Sequence, residues 1–441
     1  MKFGIENLGI IKKASFNLNA LTIITGDNNS GKTYITEAVY GLLKELRSKL
    51  EIHLLEKHID RLEKNKKVEF LFDEYQDYVI KDINRIVKSY QEDKLYKIFA
   101  SNKEHFEKSK IIFELISFDF SKSSNLEFKT QLGKYSITNN QKHINIILIN
   151  DKIEETVKNR IDVKDIWNMA FSVFITEKLF KKVEYFCAER SSIDQFQLDI
   201  DSNRSKLINT LQNNDDIDVN LLLENKTGKY PLVVSDYINM IRDLRNNGNN
   251  FENKLANSII LKKANKLIGG NFEVLNDKFL FHPNTDSNLQ LLLSETSSSV
   301  CSLLGLNYFL FRNLPGSILF IDEPEMNLHP KNQRELARLI VAMMNFGYKV
   351  IISTHSDIII REINTMILFN YTTNTHILEE EGYSNFEKLD LSKLNCYTTK
   401  KNEDNLTYSL EKIKVNKDTG IEIASFDNTV EEINRIQDRL L

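Results

Sequence analysis

Apolar residues fall into runs of distinct period along this chain. Three runs are short, continuous and rich in β-branched residues: Leu21-Thr22-Ile23-Ile24-Thr25, Ser317-Ile318-Leu319-Phe320-Ile321 and Lys349-Val350-Ile351-Ile352-Ser353. Such runs predict buried strands of a parallel sheet. Between the second and third lies Lys331–Phe346, with Leu336, Leu339, Ile340 and Met343 at helical spacing. Pro330 suits the start of that helix and Gly347 its end. Met1–Asn19 reads as two strands around Gly9. After the first strand, Tyr34–Leu43 reads as a helix. The spacing of Leu46, Leu50, Leu54, Leu55, Ile59 and Leu62 extends it to about Lys67, a rod roughly 50 Å long at 1.5 Å per residue. Tyr75–Phe99 is a second amphipathic stretch, so residues 44–110 are expected to form a helical arm.

Further along, Ile111–Phe120, Leu126–Ile137 and His143–Ile149 predict antiparallel strands. Asp151–Lys182 predicts a helix with Trp167 on its apolar face, and Val183–Ala188 a strand followed by Glu189-Arg190, an expected surface ion-pair site. Asp199–Asn225 reads in part as loop, Pro231–Leu267 as helix, the chain beyond His355 as short strands, and Asn428–Leu441 as a terminal helix.

A length of 441 residues leads to an expectation of two or three domains. The charge is balanced, with 58 Lys+Arg against 62 Asp+Glu, which argues against bulk non-specific DNA binding but leaves a local basic groove open. Cys187, Cys301 and Cys396 are far apart without metal-ligand spacing and read as thiols of a reducing compartment. No apolar run approaches the ~18 residues of a membrane span and the start lacks signal-peptide character, so the expected location is cytoplasmic.

Chemistry enters at Gly26-Asp27-Asn28-Asn29-Ser30-Gly31-Lys32-Thr33, which fits G-x-x-x-x-G-K-[ST] between a strand and a helix. That context puts backbone N–H groups and a helix N-terminus around a phosphate chain. Lys32 supplies a point charge for the outer phosphates, and Thr33 a hydroxyl for Mg²⁺. The second strand ends in Asp322-Glu323, a carboxylate pair suited to holding Mg²⁺ and orienting water. The third leads into Thr354-His355-Ser356. The resulting β-α-β unit places Asp322, Glu323 and His355 at the C-terminal edge where open α/β sheets bind ligands.

The strings G-D-N-N-S-G-K-T, I-D-E-P-E-M-N-L-H-P and S-T-H-S resemble those of ABC-type ATPases, and most those of the OLD-family and Rad50-like branch. Glu-Pro-Glu-x-x-Leu-His-Pro is similar to the sequence in ATPase subunits of bacterial phage-defence systems, including Septu, Gabija and PARIS. The resemblance covers a little under half the chain. It implies an α/β fold: an ABC-type P-loop ATPase head, of mixed sheet with flanking helices, split by a coiled-coil-like helical insertion. On this reading 1–43 and 275–441 are the two parts of the head, 44–110 the arm, 111–150 antiparallel strands of the head, and 151–274 a mainly helical insert. It further implies ATP and Mg²⁺ as ligands, with Gly26, Asn28, Asn29, Ser30, Gly31, Lys32, Thr33 and Tyr34 around the nucleotide. Thr33 and Asp322 would hold the metal, Glu323 and His355 would be catalytic, and Asn327–Pro330 would form the D-loop.

Such heads reach a partner's nucleotide through a signature loop. Here the counterpart is Leu292–Val300, with Ser297, Ser298 and Ser299 before the apolar stretch Cys301–Phe311. Ser299 stands where the pattern has glycine, which implies slow, regulated turnover because a side chain crowds the approach to phosphate. A serine-rich loop that merely caps a core helix is the alternative. A Q-loop glutamine is not fixed by the sequence; Gln131 and Gln195 are options.

OLD-type nucleases continue into a Toprim domain with an Asp-x-Asp pair. The 86 residues after His355 contain none, and Glu379-Glu380-Glu381 reads as a solvated charge run. The resemblance therefore implies a homo-oligomeric ATPase, at least a homodimer, that controls a separate effector, expected to be a nuclease. The alternative is a RecF- or Rad50-like DNA-repair ATPase acting directly on DNA; direct nucleic-acid binding stays open.

Overall fold

A computed structural model describes residues 1–118, 120, 123–130, 133–150, 163–196, 230–247, 259–286, 288–404, 406–423 and 435–439. The chain divides into two compact units. One comprises Phe3–Tyr40, Leu95–Lys110 and Val183–Leu441; the other comprises Met1–Lys2, Gly41–Lys94 and Ile111–Lys182.

The first unit is built on a mixed sheet. Across it the strands run Lys2–Leu8, Ile11–Asn17, Tyr408–Lys412, Leu394–Lys401, Leu21–Thr25, Lys349–Thr354, Ile318–Asp322 and Val183–Phe186. The last five are mutually parallel, in register through Cys396↔Ile23, Ile352↔Ile23, Ile321↔Ile352 and Phe320↔Tyr185. Leu21–Thr25 and Ile318–Asp322 are buried at every position, as expected of strands covered on both faces. Their C-terminal ends therefore lie along one edge of the sheet. The helices Ser298–Arg312 and Pro330–Asn345 follow the expected apolar stretches. Beyond His355 the expected short strands are preceded by the helix Asp357–Tyr371, capped by Ser356, whose hydroxyl accepts from the Ile359 N–H at 3.2 Å. The three cysteines are buried, free thiols.

The second unit has its own antiparallel sheet, ordered Lys67–Leu71, His143–Asn150, Gly133–Asn140, Ser124–Thr130. Val68, Ile146 and Ile137 face one another across it and are buried. Ser124–Thr130, Gly133–Asn140 and His143–Asn150 pair with one another and with Lys67–Leu71. The expected strand Leu126–Ile137 is two strands, joined in register at Thr130↔Gly133. His58 stacks on Phe70 at 4.4 Å, and Phe171 packs edge-on against Tyr75 at 4.8 Å. Trp167 is buried on the helix Val163–Leu179, as its apolar face predicts.

The expected 50 Å rod is interrupted. The helix that starts at Lys32 stops at Lys49, and a second runs Glu56–Asn65 to a left-handed Lys66 (φ 59°). Side chains from distant segments take the backbone donors between them. Glu51 N–H donates to Asp82 at 2.9 Å, Ile52 N–H to Ser172 at 2.8 Å, Leu54 N–H to Asn168 at 2.8 Å and Leu55 N–H to Tyr75 at 3.1 Å. Leu46, Leu50, Leu54, Ile59 and Leu62 are all buried, so their period reported burial rather than continuity. Gln76–Asp93 is helical, close to the expected second stretch. The expected loop Asp199–Asn225, the start of Asp151–Lys182 and most of the terminal helix lie outside the described residues, although 435–439 is helical.

Candidate functional site

The loop after Leu21–Thr25 turns on backbone that side chains resist. Gly26 has φ 138°, Asn29 57° and Gly31 89°. A Cβ on Gly26 would lie 1.9 Å from Thr399 Oγ1, and one on Gly31 would lie 2.5 Å from Ile11 Cδ1. Only hydrogen fits at either place, so the loop closes tightly over the helix that starts at Lys32. The first N–H groups of a helix have no partner within it, which makes this end a cradle for anionic oxygen. Asn28 and Asn29 are exposed and Ser30 is buried. Ser30 Oγ accepts from Thr399 Oγ1 at 2.6 Å. Tyr34 stacks on Phe99 at 4.8 Å.

Lys32 is buried, and its ammonium donates to the carbonyls of Gly26 at 2.9 Å and Asp27 at 2.8 Å. Burial lowers its pKa, opposed by Asp322, Glu323, Glu325 and Asp27. One turn of chemistry away, Thr33 donates to Asp322 Oδ2 at 3.0 Å, while Ser353 donates to Asp322 Oδ1. Burial raises the Asp322 carboxyl, against the pull of those hydroxyl bonds. Burying a carboxylate is costly unless a cation offsets it, and the Lys32 charge nearby offsets part of that cost. This oxygen-only donor pair fits a hard cation such as Mg²⁺.

Glu323 has a left-handed backbone, φ 45°, and its N–H donates to the Ser353 carbonyl at 2.9 Å. Its carboxylate lies 3.7 Å from His355 Nδ1. Glu325 is buried beneath. Its Oε1 accepts from the His355 N–H at 2.9 Å, and both its oxygens lie 2.9 Å from Thr354 Oγ1. The same Oε1 lies 3.4 Å from His355 Nδ1. Glu325 therefore sets the backbone and ring of His355. The sequence reading gave it no role, although its place in Glu-Pro-Glu was a signal. Thr399 was also missed, since only the fold brings Leu394–Lys401 beside Leu21–Thr25.

The structure thus brings Lys32, Thr33, Asp322, Glu323 and His355 together. Ser297, Ser298 and Ser299 form the start of the helix Ser298–Arg312, where Ser297 and Ser298 are exposed and Ser297 Oγ accepts from the Val300 N–H at 3.4 Å. Arg190 departs from expectation: it is buried, and its guanidinium reaches carbonyls, not a surface carboxylate. Gln195 lies in the helical segment 190–196, and Gln131 lies outside the described residues.

Strand, glycine loop and helix facing a carboxylate on a neighbouring strand define a P-loop nucleotide-binding architecture. A family model described as "AAA ATPase domain" matches residues 1–360, and the chain belongs to that family. Comparison with curated proteins gave no match. Among solved structures, the SmcHead bound to the C-winged helix domain of ScpA is similar at 11% identity and TM-score 0.38, covering 95% of this chain and 98% of that one. The SMC head domain from Thermotoga maritima gives 11%, 0.31, 94% and 98%. The Pyrococcus furiosus Smc head domain, with an extended coiled coil and bound to the C-terminal domain of ScpA, gives 12%, 0.35, 99% and 98%. No helix among the described residues is long and apolar enough to cross a membrane.

Proposed function

We propose that this chain binds and hydrolyses ATP in a homodimer of ABC-type heads, and that the ATP cycle controls a separate effector, a nuclease, in defence against phage. The observation carrying the catalytic part is the Thr33–Asp322 contact of 3.0 Å beside the buried Lys32. The defence role rests on the resemblance of the Glu-Pro-Glu-x-x-Leu-His-Pro string to that of phage-defence ATPases.

The helix start at Lys32 and the loop N–H groups hold the phosphates, and the Lys32 ammonium leaves its loop carbonyls to meet them. Thr33 and Asp322 would hold Mg²⁺, which supplies charge neutralisation at the phosphate oxygens. Glu323 accepts a hydrogen bond from the attacking water and orients it. His355, fixed by Glu325, stands beside Glu323 at the same edge. Ser297, exposed at its helix start, would meet the nucleotide of a second copy, which would exclude water and strengthen the electrostatics there.

Lys32→Ala is expected to abolish ATP binding, and Glu323→Gln to retain ATP while stopping turnover. Wild-type-like hydrolysis by Glu323→Gln would remove the role given to that carboxylate. Mixing Lys32→Ala with Ser297→Arg chains, each inactive alone, is expected to restore part of the activity through one complete composite site. For the defence role, the chain should protect cells from phage only when co-expressed with its nuclease partner. Plasmid cleavage by the purified chain alone, surviving Lys32→Ala, would overturn that division of labour.

A further inference from the structure

We propose that Arg190 is a positioning residue: it fixes the turn carrying Glu323 and ties that turn to the first turns of the helix Ser298–Arg312. The inference rests on Glu323 being the water-orienting carboxylate.

A guanidinium has five N–H donors in a planar fork. Here there are five acceptors, all backbone carbonyls: Nε donates to Ser302 at 3.2 Å, Nη1 to Cys187 at 3.1 Å and Asp322 at 2.8 Å, and Nη2 to Glu323 at 2.9 Å and Pro324 at 3.4 Å. One side chain thereby joins three segments: the end of Val183–Phe186, the turn after Ile318–Asp322 and the serine-led helix. Hydrogen bonds to carbonyls alone hold peptide planes and so encode position, while the guanidinium charge also pulls down the Asp194 carboxyl that burial raises.

The held turn needs holding. Glu323 and Asn327 both have left-handed backbone, at φ 45° and 62°. A non-glycine residue persists there only when its surroundings over-determine it. Arg190 grips the Glu323 end, and the next residue in the chain grips the other, since Asn327 Nδ2 donates to Ser191 Oγ at 2.8 Å. The direction of the Glu323 side chain follows from that backbone. A shift of the helix Ser298–Arg312 pulls on Arg190 through the Ser302 carbonyl, and so on the Glu323 peptide. The serine turn that meets a second copy is in this way connected to the residue that orients water. Lysine, a point charge with three donors, cannot reproduce the fork.

Arg190→Lys and Arg190→Gln test this through steady-state ATP turnover, affinity for a fluorescent ATP analogue, and hydrogen exchange of the full chain. The expected result is a kcat at least about tenfold lower with nucleotide Kd within about threefold, as loss of transition-state positioning requires. Exchange should rise both at 323–328 and at 300–304, with 31–36 unchanged. Asn327→Ala, which removes the second grip and puts alanine at a left-handed position, should still lower kcat less, again at constant Kd. A kcat within twofold of wild type in Arg190→Gln, a Kd that weakens in step with kcat, or an exchange rise confined to one segment would overturn the proposal. If the wild-type chain shows no ATP turnover, the hydrolytic reading falls. The exchange pattern then decides the role of Arg190: a rise in both segments supports it and any other pattern refutes it.

Discussion

The hydroxyl of Thr399 lies 2.6 Å from that of Ser30 and occupies the space a Cβ on Gly26 would need, only 1.9 Å away. The glycine loop is thus closed from outside by a strand near the far end of the sequence.

Gly26→Ala must displace Thr399 and also adopt φ 138°, strain and overpacking that together cost about 2–4 kcal/mol. Nucleotide affinity should fall at least about tenfold. Thr399→Ala should have a smaller effect, and the double variant should recover part of the loss because the clash is gone while the backbone strain stays. Fluorescent-nucleotide titration of the three variants checks the order.

Glu325→Gln replaces a carboxylate that accepts from Thr354 and the His355 N–H with an amide that also donates. Buried donors are then left facing donors, a loss of about 1–3 kcal/mol in ordering. Turnover should fall at least about tenfold while nucleotide binding is retained within about threefold. Single-turnover hydrolysis alongside a binding assay separates the two. A loss of binding equal to the loss of rate would mean that Glu325 shapes the phosphate cradle and not His355.

Glu37 gives a pH signature. Burial, then the charges of Asp322 and Glu189, push its carboxyl from 4.5 up to about 8. Because the folded value is the raised one, the contribution of this group to stability is fully present below about pH 4.5 and lost as pH rises through about 8. Glu37→Gln stays neutral. Its advantage over wild type in urea unfolding without nucleotide should be near nil at pH 4.5 and grow to a ceiling of roughly 5 kcal/mol at pH 9, at 1.36 kcal/mol per pKa unit. An advantage independent of pH would assign the effect to packing.

Tyr75→Phe removes the hydroxyl that accepts from the Leu55 N–H at 3.1 Å and lies 2.7 Å from His58 Nδ1. Leaving those groups unpaired should cost about 1–3 kcal/mol. Hydrogen exchange should report it within 41–94 and 111–182, at unchanged nucleotide affinity. Equal loosening at Lys32–Ile35 would contradict the division into two units.

What the sequence disclosed follows from how local its causes are. Gly26, Gly31, Lys32 and Asp322 were legible because a tight loop and a buried strand each leave a mark within a few residues. The break between Lys49 and Glu56 was not, since Asp82, Ser172, Asn168 and Tyr75 impose it from elsewhere. Arg190 looked like a surface cation because its acceptors are backbone carbonyls, which no residue type announces. The helix Asp357–Tyr371 was obscured by Ile358-Ile359-Ile360, a β-branched run with the look of a strand, although Ser356 stood ready as its cap.

The neighbours of Leu21–Thr25 also bear on the order of synthesis. This strand pairs with Lys349–Thr354 on one side and Leu394–Lys401 on the other, and Thr399 reaches Thr25 across 374 positions of sequence. A ribosome emits the phosphate loop before either strand that pairs with Leu21–Thr25, and both emerge hundreds of residues later. Until then the loop has no sheet to close upon, and contacts of such separation are slow to form. Nascent chains released before about residue 400 should therefore contain the complete glycine motif and bind no nucleotide, so that the capacity to bind ATP reports synthesis past Leu394–Lys401.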